Sequence, residues 1–157
     1  MFTVKQLTKV TELVMLLHNK CKELDENKKV FDGSCVLIAS VIAKNFEEEN
    51  IPYKIVVYSY DDCKDINQIV KHGNLCHVSV EVVIGGGRRF EIGGQISNEM
   101  MEKYEIKKFY TNIDSEQLYD IYNKYEWNDK FDKNETQNII NEIEDVFFDF
   151  FEKNKIY

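Results

Sequence analysis

The chain has 157 residues, 43% of them apolar and 31% charged, and a formal charge of −8. That length and mixture suit one folded domain spanning 1–157 and exclude a disordered or fibrous chain. The negative balance opposes nucleic-acid phosphates and anionic membranes at long range, no run approaches the roughly 18–20 apolar residues of a bilayer span, and no basic segment followed by an uninterrupted apolar one opens the chain. The expectation is therefore a cytoplasmic protein without a direct nucleic-acid or membrane partner.

Residues 3–24 place Val4, Leu7, Val10, Leu13, Val14, Leu17, Cys21 and Leu24 at steps of three and four, the signature of an amphipathic helix. The polar run Asp25-Glu26-Asn27-Lys28-Lys29 ends it. Asp32-Gly33-Ser34 then leads into a second helix over 35–49, carrying Leu37, Ile38, Val41, Ile42 and Phe46, with Ser34 as its expected N-cap. Asn50-Ile51-Pro52 closes that helix, and residues 53–58 have the β-branched and aromatic density of a strand. Residues 61–73 read as a polar excursion.

Residues 76–84 form the clearest strand, and Gly85-Gly86-Gly87 turns it into a second one over 88–92, a β-hairpin. Alternation sets Val78, Val80, Val82 and Ile84 on one face, and His77, Ser79 and Glu81 on the other. On the return strand, Phe90 and Ile92 join the valines, while Arg89, Glu91 and Gln95 join His77. Further on come a short helix over 98–104, a last strand over 107–110, a helix over 115–125, and a final helix over 133–153. Ile139, Ile140, Ile143, Val146, Phe147, Phe150 and Phe151 give that last helix one broad apolar stripe.

The four cysteines, Cys21, Cys35, Cys63 and Cys76, sit at irregular spacings that predict reduced thiols rather than a disulfide framework. Cys35 is the distinctive one, because it falls where a loop enters an apolar helix. Unpaired amides and the helix dipole favour thiolate at such a position. His77, on the hairpin, can supply a base if the second helix packs across the sheet. A third group should hold the ring. With Ile84-Gly85-Gly86 as the loop, Glu91 lies opposite Ser79 and diagonal to His77; with Gly85-Gly86-Gly87 as the loop, Gln95 lies directly across from His77. Cys63, His72, Cys76 and His77 fit no common zinc spacing, and adjacent Cys76 and His77 are expected on opposite faces. His18 and His72 read as ordinary boundary or surface residues.

Gly33-Ser34-Cys35 with its helix and following strand, Cys76-His77-Val78-Ser79-Val80-Glu81-Val82, and Phe90-Glu91-Ile92-Gly93-Gly94-Gln95 together resemble the papain-like fold in its transglutaminase-like branch. The resemblance covers residues 31–95. It implies an α+β domain in which a central cysteine-bearing helix packs on a small antiparallel sheet, followed by a C-terminal helical region. It also implies Cys35 as nucleophile, His77 as base and Glu91 as orienting acid, acting on an amide, peptide or isopeptide carbonyl of a peptide or protein substrate through a thioester, with no cofactor or metal. The family pattern prefers aspartate at the place of Glu91, and the position of Ser79 is often aromatic. Cys35's backbone N–H is a natural oxyanion donor. The rival expectation is a catalytically inactive acidic binding or inhibitor module on the same scaffold, supported if Tyr119, Tyr122, Tyr125 and Trp127 share one exposed face.

Overall fold

The computed structural model describes residues 2–27, 33–125 and 133–157. Phe31 and Asp32 of the nucleophile segment, Lys28 and Lys29 of the polar run, and Trp127 lie outside the described residues. Helix α1 (Val4–Glu26) starts with a capping box: Thr3 Oγ1 accepts from the Gln6 N–H, and Gln6 Oε1 accepts from the Thr3 N–H. It buries Val10, Leu13, Val14, Leu17, Cys21 and Leu24, the face read from the sequence.

Helix α2 (Ser34–Glu48) is apolar almost all round, and so lies at the centre of the fold, between β2 on one side and α5 and α6 on the other. Two of its buried polar side chains bond within the helix: Ser40 Oγ donates to the Leu37 carbonyl and Asn45 Nδ2 to that of Val41. The cap is Gly33 and not Ser34. Gly33 takes a left-handed φ of 84° that glycine adopts without a Cβ penalty, which places Ser34 inside the first turn. After Asn50, the Ile51 N–H returns to the Phe46 carbonyl and redirects the chain into the sheet.

The sheet is antiparallel, in the order β3-β2-β1-β4, with β1 at Lys54–Ser59, β2 at Leu75–Ile84, β3 at Arg88–Ile92 and β4 at Lys107–Thr111. Ile84 pairs with Arg88, so the hairpin loop is Gly85-Gly86-Gly87. Val78, Val80, Val82 and Ile84 face the helices and share one core with Ile55 and Val57. On the other face, Val56 and Tyr58 form a small second cluster with Ile106, flanked by Cys76, Ile96 and Met101.

The remaining helices are α3 (Ile66–Lys71), α4 (Asn98–Lys103), α5 (Ser115–Lys124) and α6 (Lys133–Lys153). Helix α3 corrects the reading of 61–73 as a polar excursion. Asp65 caps it by accepting from the Asn67 N–H, and Ile66, Ile69 and Val70 bury a single face. That spacing of three and four was present, but six residues amid charged neighbours mask it. In α6, Ile139, Ile143, Phe147 and Phe150 are buried, while Ile140, Val146 and Phe151 pack partly against them. The tyrosine cluster divides: Tyr122 is core, Tyr125 packs partly against the core, and Tyr119 is exposed.

Candidate functional site

Cys35 is the second residue of α2, and its thiol is desolvated against the valine face of β2. Burial raises the thiol to about 11, against lowering by the backbone N–H groups of Val78, Val36 and Cys35 itself, while nearby Cys76 adds a smaller upward push. The expected thiolate at this helix start is thus reversed. Removal of water outweighs the amides, and the group is a thiol.

His77 stands at a β-bulge. Tyr58 pairs with His77, but the next pair is Ser59 with Leu75, leaving Cys76 as the extra residue on β2. The bulge turns Cys76 onto the Tyr58 cluster, and the His77 ring also lies against Tyr58, with centroids 6.0 Å apart. Cys76 and His77 therefore do not face opposite sides as alternation predicts. His77 Nε2 lies 3.2 Å from the Gly94 carbonyl oxygen. A carbonyl only accepts, so Nε2 carries the proton and the neutral ring has its lone pair on Nδ1. Burial lowers the imidazole below its ordinary value, opposed by the Gly94 carbonyl, the charge of Glu91 and the Gly93 carbonyl, in that order.

Cys35 and His77 border one cavity of about 430 Å³, with Ser34, Val78, Ile92, Gly93 and Gly94 among its walls. The two side chains do not meet: the sulfur sits on the helix-facing side of the sheet against the Val78 amide, whereas the imidazole lies on the other side with its register partner Tyr58 and meets the Gly94 carbonyl.

Glu91 is buried beside this arrangement but occupied elsewhere. Tyr58 Oη donates to its Oε1 at 2.7 Å, Ser79 Oγ donates to the same oxygen at 2.8 Å, and Lys108 Nζ reaches Oε2 at 3.2 Å. Its register partner is Glu81, not Ser79, as the three-glycine loop requires. It acts on His77 through charge alone. Gln95 would continue that register to His77, but the β2–β3 ladder ends at Val80 with Ile92. Gly93 and Gly94, with φ of 92° and 93°, carry the chain away, and Gln95 is exposed.

A wall from α1 completes the cavity. His18, Cys21, Lys22 and Asp25, at spacings of three, four and seven, line it together with Cys35. The His18 ring stands edge-on to Phe90 at 5.0 Å and 86°. Among the described residues its Nδ1 is the buried side-chain polar atom without a hydrogen-bond partner, and burial, aided by the Lys22 charge, lowers its pKa. Its helical spacing with Cys21 and Asp25 was the available signal.

Among the described residues no group of three or more His, Cys, Asp or Glu side chains is placed to hold a metal ion. Nor is any described helix long and apolar enough to cross a membrane. Fold and cavity thus define an α+β domain with a cysteine- and histidine-lined pocket. Comparison with family models, with curated proteins and with solved structures finds no match to this chain.

Proposed function

We propose that the domain performs cysteine-dependent acyl chemistry of the papain-like, transglutaminase-like kind, hydrolysing an amide, peptide or isopeptide bond through a thioester on Cys35. The observation that carries this reading is the common cavity: Cys35 at the start of α2 and His77 on β2, its tautomer set by the Gly94 carbonyl, are both among the residues that border one 430 Å³ space. The reading requires the His77 ring to turn from its place beside Tyr58 toward the sulfur when a substrate carbonyl enters. Nδ1 of His77 takes the thiol proton as the sulfur adds to the carbonyl carbon, and the imidazolium then gives that proton to the leaving amine. The backbone N–H groups of Cys35 and Val78, both at the sulfur, are the donors available to the oxyanion. Water, with His77 again as base, releases the acyl group.

Holding the thiol protonated until substrate arrives is compatible with such a cycle, since catalytic hydrogen bonds often tighten only in the loaded enzyme. The protonated resting thiol, together with the full occupation of Glu91, also favours a second reading, an inactive binding module on the same scaffold. An activated ester separates the two. Incubation with p-nitrophenyl acetate is expected to place one acetyl group on Cys35, identified by peptide mass spectrometry, followed by its hydrolysis. Labelling spread evenly over the four cysteines, or a stable adduct that never turns over, supports the binding module instead.

A further inference from the structure

The surface between α2 and α6 carries a second feature, independent of the cysteine chemistry. A groove of about 630 Å³ runs there, lined by the apolar Phe147, Phe148 and Phe151 and by the carboxylates of Glu49, Glu144, Asp145 and Glu152. Phe148 is 69% exposed, a large apolar ring that α6 turns to solvent beside the buried Phe147. The lining residues on α6 run from Asn141 to Glu152, about three turns or roughly 16 Å of helix.

We infer that this groove docks a basic amphipathic helix of a partner protein, an apolar ridge on the phenylalanines and lysine or arginine side chains on the carboxylates. Charge complementarity selects that occupant. Four carboxylates and no Lys or Arg line the groove, on a chain of net charge −8. A second copy of this chain would bring carboxylates against carboxylates, and an anionic membrane would be repelled in the same way. The length of three turns matches helix-in-groove recognition, in which apolar anchors recur at three and four residues.

The test uses the full chain and two fluorescein-labelled synthetic 14-residue helices, one of alternating Lys and Leu faces and one in which every Leu is replaced by Gln. Fluorescence anisotropy should show the Lys/Leu helix binding about tenfold or more tightly than the Lys/Gln helix. Phe148→Ser should cost a similar factor, and raising salt from roughly 0.05 to 0.5 M should weaken binding severalfold. Phe148 is exposed, so its replacement leaves the core intact, which circular dichroism checks. Equal affinity for the two helices, unchanged affinity of F148S, or a concentration-dependent dimer that F148S dissolves would overturn the inference.

Discussion

The Nε2 atom of His77 lies 3.2 Å from the carbonyl oxygen of Gly94, and this main-chain contact fills the orienting position that the sequence assigns to a carboxylate or an amide. It fixes the tautomer with Nδ1 free of a proton, the state a general base requires. The contact depends on the turn at Gly93 and Gly94, where both residues have strongly positive φ.

Gly94→Ala places a Cβ on a residue with φ of 93°, so the carbonyl must shift even though open space surrounds the position. Because that carbonyl raises the His77 pKa, its displacement should lower it further. Nitrogen-15 correlation spectra should show the Nε2–H tautomer in the wild type and a mixture in G94A. An unchanged tautomer and pKa would show that Gly94 does not orient the ring.

Glu91→Gln keeps the shape of the buried network but removes its charge. Tyr58 and Ser79 can still donate to Oε1, while Lys108 loses its partner, so the expected loss is about 1–3 kcal/mol of stability by urea unfolding. The His77 pKa should fall, because the Glu91 charge supports the imidazolium. Acylation of Cys35 should slow by less than about tenfold, against 100-fold or more for His77→Ala. Equal losses in the two variants would mean that Glu91 holds the ring directly.

The hairpin was legible because a run of three glycines marks a turn and alternating valines permit only one face toward the core, while the choice between two loop placements came from the observed pairing of Ile84 with Arg88. The central helix was legible from its apolar run. What local sequence could not show is how each site group is solvated. Helix-start amides argue for a Cys35 thiolate, but the depth of the sulfur under the valine face is a tertiary property, and it dominates. The bulge at Cys76 and the departure of the chain at Gly93-Gly94 likewise arise where the ladder stops, so Gln95 missed a register that simple extension gave it. His18 was overlooked because its role depends on which face of α1 borders the cavity.

Replacing His18 by Phe should stabilise the protein by about 1 kcal/mol, since a buried nitrogen without a hydrogen bond is exchanged for carbon beside Phe90. Chemical denaturation checks the sign. Destabilisation would reveal that the ring nitrogen serves the fold.

The Cys35 thiol sets an alkaline limit. Its folded pKa is raised, so the stability tied to the thiol is fully present below the ordinary value of 9.0 and is lost as pH rises toward about 11. Over that window the wild type should lose more stability than Cys35→Ser, which has no thiol to ionise. Cys21, Tyr53 and Tyr58 are also raised and contribute equally to both proteins. Parallel curves for wild type and C35S would show that the sulfur is not desolvated.

The most direct test of the cysteine–histidine mechanism is the pH profile of Cys35 acylation by p-nitrophenyl acetate in the wild type and in His77→Ala. The wild-type rate should rise through an inflection below pH 6.5, as neutral His77 becomes available, and then hold a plateau through neutrality. In H77A that inflection should vanish, leaving only the rise toward about 11 set by the thiol itself. Superimposable profiles for the two proteins would contradict His77 as the base for Cys35.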